Sequence, residues 1–326
     1  VGTALVTGVT GQDGGYLVEQ LVAAGHEVHG VCRGELSRAG ELPHLAAVGS
    51  RLRLHRADLR DVTALVRVID DVAPDWLFNL GGLSSVAASW TDPMTTFDTN
   101  ARPVIGVLEY LRGRQNRGER PIRFIQASSG ESFAGGGGTI DETTPVSPVN
   151  PYGAAKALGH QMVGMYRTQG VHCSSLILLN HESPRRPHRF VTRRITAGVA
   201  AIAAGRAGDL TLGNLDVCRD WGWAPDYTRA MLLAAEADEP RDYVVATGEA
   251  HSLTDLVAAA FARVGIDDWE RYVSSDAALL RPTDSAVLTG DATRLRELLG
   301  WAPTVGFREM VEAMVDTDVA ELGGVA

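Results

Sequence analysis

Four residues within 126–156 have the types and spacing to do chemistry: Ser129, Glu131, Tyr152 and Lys156. Tyr152 and Lys156 lie four apart at the start of a helical pattern, so they project from one face. A free tyrosine has a pKa of about 10 and is a poor base at neutral pH. A neighbouring ammonium stabilises the phenolate and lowers that value. The pair suits removal of a proton from a sugar hydroxyl while hydride leaves the same carbon. Ser129 can hydrogen-bond that hydroxyl. Glu131 adds what simple alcohol oxidation does not need, a carboxylate able to take and return a carbon-bound proton. Alone, a Tyr-x-x-x-Lys spacing is weakly specific, and equally describes a helix-start aromatic beside a solvated charge. Its weight comes from the strand and the Ser-x-Glu upstream, and from the motif that opens the chain.

The elements that must position these residues read as alternating strands and helices. The apolar run Ile122 to Ile125 predicts a buried parallel strand that delivers the segment, with Pro145, Pro148 and Pro151 stiffening the approach to Tyr152. Thr3 to Thr7 predicts a strand, followed by the turn Gly8-Val9-Thr10-Gly11-Gln12-Asp13-Gly14 and a helix with Tyr16, Leu17, Leu21 and Val22 apolar. Such glycines let the backbone turn tightly and approach a pyrophosphate at the helix N-terminus. Glu27 to Cys32 follows as a second strand and completes a nucleotide-binding βαβ unit. At its end stands Arg33 rather than an acid, which favours NADP over NAD, although Glu35 lies in the same loop.

Residues 51–57 predict a third strand ending at Asp58-Leu59, where Asp58 meets the adenine edge or caps the helix beginning near Asp61. Trp76 to Leu80 predicts a fourth, and Leu80-Gly81 allows close approach to the cofactor backbone. Ser84 and Ser85 fall where a sugar would lie. Thr99-Asn100 opens a helix to about Leu111, Gly135 to Gly138 reads as a mobile loop tip, and Ser174 to Leu179 as another buried strand. From Asn180 the character changes: Arg185, Arg186, Arg189, Arg193 and Arg194 crowd into ten residues. They could grip a diphosphate or form a solvated basic face. The fold class is α/β, a Rossmann-type doubly wound parallel sheet with a smaller, discontinuous C-terminal substrate domain. Residues 1–180, with a later contribution from about 216–247, would bind the nucleotide, and 181–326 mainly the substrate.

The bulk numbers exclude several classes. A chain of 326 residues, 45% hydrophobic and with net charge −10, is ordinary for a globular protein and a poor nucleic-acid binder. Cys32, Cys173 and Cys218 are scattered, without metal-ligand spacing, and suggest a reduced, cytoplasmic chain with no metal. The start reads as strand and turn rather than a secretory leader, and no apolar run reaches the ~18 residues of a membrane span.

At these residues the chain resembles an extended short-chain dehydrogenase/reductase, and more narrowly the GDP-mannose 4,6-dehydratase family. The matching segments are TGVTGQDG, NHESPRR with FVTRRI, RDWG followed by APDY, LRPTDSAVLTGD and LGWAP, spread over nearly the whole chain. The resemblance implies a cycle in which NADP⁺ takes hydride from sugar C4 while Tyr152 takes the hydroxyl proton. Glu131 then removes the acidified C5 proton, water leaves from C6, and hydride and proton return to C6 and C5. It also implies that Lys156 holds the nicotinamide ribose. Asn180, Arg194, Arg219 and Arg281, with Asp284 beside the last, would contact the sugar nucleotide, as would Arg185 of NHESPRR. A homodimer or homotetramer is implied too. The chain departs from the family at Leu83-Ser84-Ser85, Gly130, Ser132-Phe133-Ala134 and Gly34, the first three where the hexose would sit. A 4,6-dehydratase acting on a different nucleotide hexose, or a 4-epimerase or ketoreductase of the same fold, is the alternative; the last two would not need Glu131. A regulatory dinucleotide binder without turnover would not need the Tyr152–Lys156 pair.

Overall fold

A computed structural model describes residues 1–36, 41–276 and 287–323. Seven strands form one sheet: β1 (Thr3–Thr7), β2 (Glu27–Cys32), β3 (Leu52–Arg56), β4 (Trp76–Asn79), β5 (Arg123–Ala127), β6 (Cys173–Leu178) and β7 (Asp242–Val245). Their order is β7-β6-β5-β4-β1-β2-β3, and every pairing is parallel. The direction in which successive strands are added reverses between β1 and β4, and the carboxyl ends on either side of that crevice are where such sheets bind ligands.

Both faces of the sheet are buried, and the alternation along β1 shows why. Ala4 and Val6 pack with Leu17, Leu21, Met231 and Ala234, from the helices Gln12–Ala23 and Ala224–Glu236. Leu5, between them, packs on the opposite side with Leu65, Ile69, Val104 and Val163, from Val62–Val72, Arg102–Asn116 and Pro151–Thr168. A strand flanked by helices on both sides favours apolar residues on both faces, as in the centre of β1; the edge strand β3, with Arg53, His55 and Arg56, is the least buried.

After β6 the chain leaves the sheet. It forms the short strand Asn180–Glu182 and the helix Val191–Ala203, then returns through Ala224–Glu236 to lay down β7. A third core lies in the C-terminal part. It joins Ile195 and Val199 to Leu256, Val257 and Phe261 of Leu253–Arg263 and to Met310, Met314 and Val315 of Phe307–Glu321. A peripheral four-stranded sheet holds His251–Ser252, Cys218–Arg219, Val287–Gly290 and Gly138–Ile140. Gly138 of the four-glycine run thus begins a strand; its neighbour in the sheet, Leu288, supplies backbone partners that sequence periodicity does not reveal. The expected helix from Thr99 is instead two, Pro93–Asn100 and Arg102–Asn116, divided at Ala101; Pro103, in the first turn of the second, has no N–H to continue the ladder of the first.

Candidate active site

The glycine-rich turn is fixed by backbone contacts that only glycine permits. Gly8 has φ +74°, and a Cβ there would lie 2.7 Å from the Gly81 backbone; a Cβ on Gly14 would lie 2.3 Å from the Gly8 carbonyl. Gly11 caps the Gln12–Ala23 helix without any side chain, so the helix start presents bare backbone, as a dinucleotide pyrophosphate requires. Leu59 and Leu80, both half-buried, flank Gly81.

Across the strand ends runs a line of buried polar groups. Thr7 Oγ1 accepts from the Gly81 N–H (3.0 Å) and donates to Asn79 Oδ1 (2.8 Å). Asn79 Nδ2 donates to Gln126 Oε1 (2.8 Å), and Gln126 Nε2 donates to the Ala127 carbonyl (2.7 Å). Lys156 Nζ donates to the same carbonyl at 2.9 Å. The carboxyl ends of β1, β4 and β5 are thereby tied to the helix that carries Tyr152.

The four residues read as chemical in the sequence come together here. Ser129 ends the loop after β5, and its Oγ accepts from the Glu131 N–H (3.2 Å). Asn150 caps the Pro151–Thr168 helix: its Oδ1 accepts from the Gly153 N–H (2.8 Å), while its Nδ2 donates to Glu131 Oε2 (2.7 Å). Gly153 permits that approach, since a Cβ there would sit 2.4 Å from the Glu131 carbonyl oxygen. Burial pushes the Tyr152 hydroxyl up to about 12; the Ser129 hydroxyl works against this and the Glu131 carboxylate adds to it. Burial likewise lowers Lys156 to about 8. The depression of Tyr152 expected from Lys156 is absent in this state. Nζ is turned to Ala127 and lies 5.9 Å from the centre of the Tyr152 ring, and desolvation outweighs it.

One ion pair in the site went unread in the sequence. His181 Nε2 and Asp13 Oδ2 are 3.0 Å apart, and His181 Nδ1 donates to the Leu179 carbonyl at 2.7 Å. Burial opposes both charges, yet the pair prevails: Asp13 is held down to about 2 and His181 is raised. Gln12 Nε2 donates to Asp13 (3.0 Å) and to the His181 carbonyl (3.1 Å), and its Oε1 accepts from Ser183 (2.8 Å). The glycine turn is therefore clamped to NHES, a motif quoted above whose His181 had no assigned role. Asn150 too carried a signal, as a cap residue followed directly by proline. Asp220, fully buried, accepts from Thr247 N–H and Oγ1 (2.9 and 2.7 Å) and Gly248 N–H (2.9 Å), and so anchors the strand bearing Arg219.

The remaining expected site residues are more dispersed. Ser84 is exposed, and Ser85 caps the helix Val86–Thr91. Asn180 opens a strand paired with Trp221–Trp223. Arg185 lies over the Tyr16 ring (3.9 Å) and pairs with Glu19 (2.8 Å). Arg194 donates to the Thr211 carbonyl (3.3 Å), and the buried Arg219 to that of Cys218 (2.8 Å). Arg281 and Asp284 lie outside the described residues. Asp58 binds Arg60 (2.7 Å), while Asp61 caps the following helix. Among the described residues there is no cluster of three metal-binding side chains, and no helix long and apolar enough to cross a membrane.

A doubly wound sheet with a glycine turn at its switch point, and a Ser–Tyr–Lys set beside it, defines an extended short-chain dehydrogenase/reductase. A family model for GDP-mannose 4,6 dehydratase matches residues 5–314. GDP-mannose 4,6 dehydratase 1 of Arabidopsis thaliana is 41% identical over 323 residues, 97% of this chain and 89% of its own length. Human GDP-mannose 4,6 dehydratase is 39% identical over 345 residues, 97% of this chain and 91% of its own. The chain belongs to the GDP-mannose 4,6-dehydratase family, and is a lyase of the dehydratase type.

The cofactor expectation is corrected. The solved UDP-glucose 4-epimerase of Thermus thermophilus holds NAD; it is 26% identical, with TM-score 0.80, covering 97% of this chain and 98% of that one. NAD also fills four further structures sharing the fold at 17–24% identity, and NADPH one at 22%. Arg33 misled because its type was read without its surroundings. It is exposed, the next residue is Gly34, and it faces the Asp58 carboxylate, held down to about 2 mainly by its hydrogen bond to Arg60. An ionised acid there repels a 2′-phosphate.

Proposed function

We propose that the protein is an NAD-dependent 4,6-dehydratase that converts GDP-mannose to the 4-keto-6-deoxy sugar nucleotide and water. The observation that carries this is the Glu131 carboxylate, held by Asn150 in the turn beside Ser129 and Tyr152. The nucleotide fits the bare glycine turn, held by Gly8, Gly11, Gln12, Asp13 and Gly14 with Asp58, Leu59, Leu80, Gly81, Tyr152 and Lys156. When bound, it supplies a hydride acceptor for C4 and a hydride donor for C6. Ser129 holds the C4 hydroxyl and Tyr152 removes its proton. The nearby Lys156 ammonium supports the phenolate once the site is filled. Glu131 takes the C5 proton; the electron pair left on C5 forms a C5–C6 double bond as hydroxide leaves C6 and becomes water with the proton that Tyr152 took from the C4 hydroxyl. Glu131, its proton exchanged with solvent, then protonates C5. Asn180, Arg194 and Arg219 orient the nucleotide sugar, with Ser84 and Ser85 toward the hexose.

We further assign nucleotide binding to residues 1–180 with about 216–247, and substrate binding mainly to 181–326. The protein works in the cytoplasm as a homodimer or homotetramer paired through Arg102–Asn116 and Pro151–Thr168. The test is incubation of the NAD-loaded protein with GDP-mannose and, in parallel, other nucleotide hexoses. Mass loss of one water from GDP-mannose is expected. Epimerisation without water loss, or dehydration only of another nucleotide hexose, contradicts the assignment.

A further inference from the structure

Asn150 joins the two proton-handling side chains of the site. It is 6% exposed, stands directly before Pro151, and uses both ends of its amide. The oxygen receives the Gly153 N–H and fixes where the helix bearing Tyr152 begins; the nitrogen reaches Glu131 Oε2 at 2.7 Å. We propose that Asn150 is a positioning residue for the C5 proton transfer, its amide N–H aiming the Glu131 carboxylate at the C5 hydrogen. The proposal rests on the dehydratase reading.

Capping alone does not call for an amide. Serine and aspartate cap a helix about as well as asparagine. Ionised aspartate has no donor, and the serine hydroxyl is one bond shorter than the asparagine amide nitrogen that meets Glu131 at 2.7 Å; a hydrogen bond to an ionised acceptor is roughly twice as strong as a neutral one. The charged groups that act on the neighbouring Tyr152 come from several elements: Glu131 from the turn after β5, Asp13 from the glycine turn, and Arg186 from the segment after Asn180–Glu182; Asp13 also acts on Lys156. None of these replaces the direct contact, since Glu131 Oε2 receives its hydrogen bond from Asn150.

The experiment compares Asn150→Asp and Asn150→Ser with the wild type, each loaded with NAD and given GDP-mannose in D2O. Four readouts are followed: melting temperature, transient reduced nicotinamide, deuterium at C5, and kcat and KM against pH. Asn150→Asp keeps the cap but sets a second carboxylate against Glu131. The melting temperature and reduced nicotinamide should persist, while the acid limb of kcat moves up by about 1 pH unit. Below that limb, kcat and deuterium incorporation should drop about tenfold at unchanged KM. Asn150→Ser, without the added charge, should lower kcat and C5 exchange about tenfold at every pH. Wild-type kcat and pH profile in both variants would overturn the proposal. So would a parallel loss of hydride transfer, C5 exchange and melting temperature, which marks a helix cap and nothing more. Failure of the wild type to dehydrate GDP-mannose is a separate outcome, which removes the dehydratase reading itself.

Discussion

Two stretches drew the eye in the sequence, and the structure treats them differently. Residues 129–156 converge: Ser129, Glu131, Asn150, Tyr152 and Lys156 meet within one turn and the helix start facing it. Residues 185–194 diverge. Arg185 lies on the glycine-turn helix, and Arg186 stacks on Phe190 (3.8 Å) and pairs with the buried Glu182 (3.0 Å). Arg193, 2% exposed, is locked to Asp318 (2.8 Å) and Glu321 (3.1 Å) of the last helix. The first stretch is organised by backbone, where a strand end and a helix cap dictate which way short side chains point. The second consists of long side chains whose partners are chosen by tertiary packing. Charge density alone does not distinguish a substrate grip from a set of braces.

The contrast can be broken from either side. The largest effect is expected from Tyr152→Phe, which removes the hydroxyl and leaves the ring. Single-turnover kcat should fall about 10²–10⁴-fold, with the denaturation midpoint unchanged or raised. Arg193→Ala should do the reverse. Stripping the cation from Asp318 leaves a buried carboxylate unpaired and should cost about 3–5 kcal/mol in urea unfolding, with KM for the nucleotide sugar unmoved at temperatures where the variant is folded.

A smaller effect attaches to Asp13 and His181. Asp13 is depressed, so its contribution is present above about pH 4 and lost as pH falls toward 2. His181 is raised, so its contribution is full below about pH 6.5 and lost as pH rises through its folded value. Stability from the pair should therefore peak between about pH 4 and 6.5. Asp13→Asn should flatten both limbs and remove about 2 kcal/mol at pH 5.5, read from melting curves across pH. The smallest effect belongs to Arg185→Ala. A ring contact and a half-exposed ion pair are together worth about 1 kcal/mol. A KM rise above about tenfold would instead give Arg185 a substrate role and blur the contrast.

What was legible in the sequence follows the same division. The first six strands of the large sheet, the glycine turn and the spacing of Tyr152 and Lys156 are local or periodic features, and they were readable; the seventh strand, Asp242–Val245, and the peripheral sheet were not. Pairings over long sequence distances were not: His181 with Asp13, Gln126 with Asn79, Asp220 with Thr247. Nothing local marks them, because each depends on which strand ends the sheet brings side by side. The Arg33 misreading has the same root, since the acid that decides its meaning, Asp58, arrives from the next strand.

The most direct test of the central claim is Glu131→Gln. The amide keeps the shape and cannot accept a proton, so the NAD-loaded variant should still reduce its nicotinamide with GDP-mannose. It should release no water and place no solvent deuterium at C5. Wild-type rates of dehydration by this variant would contradict the account.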